Sequence, residues 1–145
     1  MPKATHTVAL PVSTDTVWNF LKSYDHWAPL IPGYIAHDAQ NDTQFVWIFT
    51  ADLGFTKKTI KLQVEITALI EPTEVKFDLK GLSDNFNGDG FLKVDGNQLA
   101  GSLDLAAGGM MGMMINSVLE GFVPKATTQF VDAIATKLHE TEVAN

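Results

Sequence analysis

The stretch KKTIKLQVEITALIE, residues 57 to 71, carries the clearest alternation in the chain. Lys58 aside, Ile60, Leu62, Val64, Ile66, Ala68 and Ile70 point one way, and Lys57, Thr59, Lys61, Gln63, Glu65 and Thr67 point the other. A period of two belongs to an extended strand, and one apolar face against one polar face means an antiparallel sheet with a single wet side. The dry side must be covered by something else in the chain.

The same pattern recurs on both sides of this stretch. After a turn at Pro72-Thr73, EVKFDLKG sets Val75, Phe77, Leu79 and Gly81 inward, and Glu74, Lys76, Asp78 and Lys80 toward water. NFNGDGFLKV and NQLAGSLDLA read as a hairpin closed by Asp95-Gly96-Asn97. Gly81, Gly88, Gly90 and Gly101 weaken these strands unless the sheet bends sharply or leaves room against its face. Upstream, FVWIFTADL puts Phe45, Trp47, Phe49, Ala51 and Leu53 on one face, with apolar residues at the start of the other predicting cover on both sides at that end. THTVALPV, residues 5 to 12, reads as a first strand with Val8, Leu10 and Val12 together.

Helical signals flank the strands. Ser13 is a good N-cap for TDTVWNFLKSY, where Val17, Trp18 and Leu21 recur at helical spacing and Asp15 lies in the first turn. In YDHWAPLIPGY, Pro29, Pro32 and Gly33 restrict the chain to a helical turn and a tight bend. Residues 110 to 141 form one long terminal helix whose stripe, Ile115, Leu119, Phe122, Ala126, Phe130, Ile134 and Leu138, suits the dry face of a sheet. Pro124 is expected to bend it or loosen one turn. The fold expected is therefore α+β: about six to seven antiparallel strands in a curved sheet around the terminal helix, two short helices after the first strand, and a single domain over residues 1–145.

Composition removes several functions. The chain carries a formal charge of −7, and all ten basic residues are lysine. Without arginine's planar fork, an acidic chain is poorly equipped to neutralise phosphates, so no nucleic-acid partner is expected. The absence of cysteine rules out disulfides, thiolate metal sites and cysteine nucleophiles. His6, His26, His37 and His139 show no helical ligand spacing, so no metal and no cofactor is expected. No nucleophile elbow, phosphate loop or dinucleotide fingerprint is present, and no catalytic residue is assigned. With no signal-peptide pattern and no apolar window of spanning length, the expected location is cytoplasmic, touching a membrane at most at its surface.

The segment VSTDTVWNFLKSYDHWAPLIPGY, the glycine-containing GFLKV strand and the terminal helix from Gly109 through Gln129-Phe130 together resemble the START-like, or helix-grip, superfamily. More narrowly, the chain is similar to the CoxG family of carbon monoxide dehydrogenase proteins. The superfamily resemblance implies a hydrophobic cavity between sheet and long helix that holds lipids, quinones, sterols or polyketides and that catalyses only in some branches. CoxG members commonly carry a C-terminal extension associated with membrane recruitment; the residues up to Asn145 add none, so anchoring is not expected from them.

The candidate site gathers around AAGGMMGMMINSVLEGF, residues 106 to 122. Met110, Met111, Met113, Met114, Ile115, Val118, Leu119, Phe122 and Val123 spread over more than one helical face, which calls for wrapping, a cavity or a partner. Methionine adapts to irregular apolar shapes, and the strand glycines would leave matching space, although ordinary core packing competes with this reading. The aromatics Trp18, Trp27, Trp47, Phe49, Phe77 and Phe86 are candidates to line the cavity or simply to fill the core, with Trp27 and Tyr34 at its mouth. The ligand-binding set expected is thus Trp27, Tyr34, Trp47, Phe49, Phe77, Phe86, Met110, Met111, Met114, Ile115, Val118, Leu119 and Phe122. Asn116 and Glu120 would either orient a head group or occupy a wet stripe.

Three functions are compatible with these expectations. The first is carriage of a hydrophobic small molecule. The second is a cyclase or dehydratase using His26, Tyr34 or Glu120 as acid or base, and the third is an accessory module whose Met-rich helix meets a membrane or a redox-enzyme partner.

Overall fold

A computed structural model of the chain describes residues 3–82 and 84–144. The elements follow in the order β1 (Lys3–Ala9), α1 (Thr14–Leu21), α2 (Tyr24–Trp27), a single 3₁₀ turn (Ala28–Leu30), β2 (Tyr34–Asn41), β3 (Gln44–Asp52), β4 (Lys57–Ile70), β5 (Glu74–Gly81), β6 (Phe86–Asp95), β7 (Gln98–Ala107) and α3 (Gly112–Ala144). Among the described residues, the strands form one antiparallel sheet in the order β1-β7-β6-β5-β4-β3-β2. The sheet curves around α3, as the alternation and the unpartnered apolar face require.

Alternation sets the register. In β3 the inward residues Phe45, Trp47, Phe49 and Ala51 are buried, while Val46, Ile48 and Thr50 are half-buried. In β4 the inward residues Ile60, Leu62 and Val64 are fully buried, and burial fades beyond them, because a bulge between Ile66 and Ala68 turns the strand end outward and leaves Ile70 exposed. The strand missed by pattern reading is β2, YIAHDAQN, a mostly polar edge strand with irregular register against β3. It has one neighbour and no apolar face, so hydrogen bonding to β3 alone makes it extended. The first strand is also shorter than expected: β1 stops at Ala9, and Leu10 and Val12 are buried in the following loop, Leu10 donating its N–H to the Asn97 carbonyl at 2.6 Å.

Ser13 caps α1 as expected, its Oγ accepting from the Thr16 N–H at 3.3 Å. Indole groups satisfy carbonyls at the helix ends: Trp27 Nε1 donates to Leu21 O at 2.9 Å, and Trp47 Nε1 to Ala28 O at 2.8 Å. Trp27 thereby joins α1 to α2 and Trp47 ties the 3₁₀ turn to β3, with both rings buried among Phe45, Phe77 and Phe130. α3 lies against β7 and β1, and its Phe130 reaches across to Trp47, ring centroids 5.6 Å apart. The helix runs continuously through Pro124. Thr127, buried one turn on, returns its hydroxyl to the Val123 carbonyl at 2.7 Å.

Candidate functional site

The bend after the 3₁₀ turn is built by Ile31-Pro32-Gly33. Gly33 has φ 77°, and a Cβ there would run into the Thr50 carbonyl oxygen, so only glycine permits the bend to lie so close to β3. The Tyr34 N–H closes the turn onto Ile31 O at 3.1 Å, and the Thr50 N–H donates to Gly33 O at 2.8 Å.

Pro32 and Gly33 form one wall of a surface groove of about 390 Å³, completed by Thr50, Asp52, Lys57, Phe122, Lys125, Ala126 and Gln129. Beneath it, between sheet and helix, lies an apolar crevice bordered by Ile31, Trp47, Phe49, Leu62, Leu79 and Leu103, among others. Phe122 and Ala126 border both. The crevice is small, about 20 Å³, little more than the space of one water.

Of the residues expected to bind ligand, Trp47, Phe49 and Phe122 line this crevice. Trp27, Phe77, Phe86 and Leu119 are buried elsewhere in the core. Ile115 and Val118 are half-buried, and Tyr34 is half-buried with its hydroxyl 2.9 Å from His37 Nδ1. The methionines stand outside: Met110, Met111, Met113 and Met114 are all exposed. Met110 and Met111 precede α3, which begins at Gly112, and on its first turn the inward place is taken by the buried Gly112 against the Ala107 carbonyl at the end of β7, which leaves Met113 and Met114 facing outward. The expected space above the strand glycines is likewise occupied. A Cβ on Gly90 would lie 2.7 Å from two ring atoms of Phe77, and one on Gly101 would press on Val131.

Asn116 takes neither of its two expected roles. Its Oδ1 accepts from the Ala107 N–H at 2.7 Å and its Nδ2 donates to the Ala107 carbonyl at 2.9 Å, so the side chain acts as one more strand residue at the end of β7. Glu120 is exposed, beside Met113 and Ser117 on an open depression. His26 is turned onto the Phe20 carbonyl at 2.9 Å and stacked on the Phe20 ring, away from the groove. The polar cluster that the sequence did not disclose is Asp25, His37 and Tyr34: His37 Nε2 meets Asp25 Oδ1 at 2.8 Å while its Nδ1 meets the Tyr34 hydroxyl. This chain of contacts clasps the two ends of the segment carrying the Pro-Gly bend. Neighbouring Tyr24 stacks on Phe45 and donates to Asn41 O at 2.6 Å; burial first, then the charges of Asp25 and Asp42, push its pKa above the usual phenol value.

Among the described residues, no group of three or more His, Asp or Glu side chains is placed to hold a metal ion. Among the described residues, no helix is long and apolar enough to cross a membrane.

A curved antiparallel sheet gripping a terminal helix, with a groove at the bend between them, defines the class of helix-grip proteins. Within it, the chain belongs to the CoxG family, the G-subunit family of carbon monoxide dehydrogenase, whose sequence profile matches residues 7–139. Solved structures share the fold at low sequence identity. A conserved protein from Geobacillus kaustophilus superposes with TM-score 0.72 at 14% identity, covering 96% of each chain. The Zhui aromatase/cyclase from a Streptomyces species gives 0.67 at 14%, covering 97% of this chain and 94% of that one. The di-domain aromatase/cyclase StfQ of steffimycin biosynthesis gives 0.62 at 12%, with this chain spanning 52% of it. Among curated proteins, none matches the sequence.

Proposed function

We propose that the chain binds and carries a hydrophobic small molecule of the lipid, quinone or polyketide-like class between its sheet and α3, in the cytoplasm. The observation that carries this reading is the shared wall: one half-buried ring, Phe122, and the small Ala126 separate a solvent-facing groove from an apolar crevice. Swinging Phe122 joins the two. The crevice as it stands is too small for such a ligand, so binding must also move the bend at residues 29–34 or the start of α3, where Gly109 at φ 79° is the natural hinge. Burying apolar ligand surface at ~25 cal/mol per Å² supplies the driving force with few polar contacts. The test is native mass spectrometry and organic extraction of protein purified without detergent, together with titration by a fluorescent apolar probe. A bound lipophile or saturable uptake is expected; neither appearing would sink the reading.

A cyclase or dehydratase using the same cavity is the competing chemistry, and the aromatase/cyclase neighbours support it at the level of fold only. Its candidate acids and bases lie apart: His26 faces a carbonyl, Tyr34 faces His37 and Glu120 faces solvent. Carriage is therefore the reading the geometry favours.

The exposed methionines support a second part of the proposal, in which the carrier docks on a redox-enzyme partner. Phe55 and Leu82 sit on the β3–β4 and β5–β6 connections, Met110 and Met111 on the β7–α3 connection and Met113 and Met114 on the first turn of α3, all at one end of the sheet, and all of these large apolar side chains are exposed. Methionine's adaptability suits a protein surface, the patch has no tryptophan, and the family takes its name from a redox enzyme. Pull-down with a partner redox enzyme should be lost in a Met111→Ser, Met114→Ser variant. Unchanged capture opposes the idea, and binding to liposomes instead would reassign the patch to a lipid surface.

A further inference from the structure

We infer that the groove at the Pro-Gly bend is a receptor for an anionic head group, so that the carried molecule is an amphiphile ending in a carboxylate or phosphate. This rests on the carriage reading and narrows the class of ligand. Lys57 comes from the start of β4 and Lys125 from the middle of α3, and both border the same groove. Neither ammonium group has a hydrogen-bond or ion-pair partner among the described residues; the lysine ion pair nearest in sequence is Lys58 with Asp84. The one carboxylate on the groove, Asp52, already accepts the Gly54 N–H at 3.0 Å through Oδ1. Gln129 and Thr50 add neutral polar groups to the same walls.

This local balance runs against the chain as a whole. Seventeen carboxylates face ten lysines over the sequence, yet two unpaired lysines and one engaged carboxylate border the groove above the apolar crevice. An acidic protein repels anions in general, and a positive opening concentrates them at one place. Lysine offers a mobile point charge with three donors and makes no demand for a planar partner, so carboxylate and phosphate suit it equally. Deeper in, past Phe122 and Ala126, the walls become Trp47, Phe49 and Leu62, which suit only a tail. The polarity of the site thus runs from charged at the surface to apolar within, the profile of a single-headed amphiphile.

The test uses the full chain and displacement of a fluorescent apolar probe by dodecanoate, dodecyl phosphate, dodecanol and methyl dodecanoate, at a mildly alkaline pH and low salt. At least one of the two anions should compete about tenfold better than the two neutral compounds, as expected for charge-assisted hydrogen bonds in a partly screened site. Added salt should erode that advantage. A Lys57→Gln, Lys125→Gln variant should lose it while binding dodecanol as before, with an unchanged unfolding midpoint showing that the fold is intact. Each single variant should lose part of it. Equal competition by anions and neutral compounds overturns the head-group inference and leaves carriage standing. Displacement by none of the four overturns both, and a double variant that keeps the preference overturns the assignment to these lysines.

Discussion

The side chain of Asn116 pairs with both backbone groups of Ala107, 2.7 Å to the N–H and 2.9 Å to the carbonyl, and so fastens the second turn of α3 to the last residue of β7. Without it, a buried strand end would carry two unsatisfied groups just where the helix leaves the sheet. Asn116→Ala should therefore destabilise the protein by about 1–3 kcal/mol, from two lost hydrogen bonds and the groups left behind. Urea unfolding measures the loss. Hydrogen exchange should locate it at residues 107–119; uniform protection there would contradict the clamp.

Gly90 is held by packing. A methyl group there meets the Phe77 ring at 2.7 Å and the Ser102 carbonyl at 2.6 Å. Gly90→Ala should cost about 1–3 kcal/mol by overpacking, and shortening the ring with Phe77→Leu in the same chain should recover part of it. A stabilising or neutral Gly90→Ala would mean that the space is open after all.

Phe122 separates groove from crevice. Phe122→Ala should speed uptake of an apolar probe and lower stability by less than the ~3–5 kcal/mol of a fully buried phenylalanine, because the ring is only half-buried. Stopped-flow fluorescence reads the first effect and thermal unfolding the second. Unaltered uptake would remove Phe122 from the access route.

Tyr24 makes stability sensitive to alkali. Its folded pKa is raised above the unfolded value, so in alkaline solution the native state holds the proton that the unfolded chain has released. Its contribution is complete below pH 10, the unfolded value, and is lost as pH rises toward the folded one. Tyr24→Phe should flatten that part of the stability profile and cost about 1 kcal/mol at neutral pH for the lost bond to Asn41 O. A variant as sensitive to alkali as the parent would point to another group.

What could be read from residues alone was what local repetition dictates. The alternation from Lys57 to Val64 and from Glu74 to Leu79, the turn at Asp95-Gly96-Asn97, the Ser13 cap and the α3 stripe from Leu119 to Leu138 each contain their own physical reason, and each stands in the structure where the pattern placed it. β2 has no such repetition. It is extended because β3 offers it hydrogen bonds, and pairing supplied by a neighbouring strand leaves no mark on YIAHDAQN beyond its lack of helical pattern. The site divides in the same way. Periodicity identified Met110 to Met114 as too apolar for a single face but could not say which side of the sheet's end they would occupy, and that depended on Asn116 finding Ala107. Likewise the glycines read as room left against the sheet face, and only packing revealed that Phe77 and Val131 fill that room at Gly90 and Gly101. Composition, capping and period are properties of neighbours in sequence. The groove, its two lysines and the Asp25–His37–Tyr34 clasp join residues from separate elements, and only the folded chain brings these together.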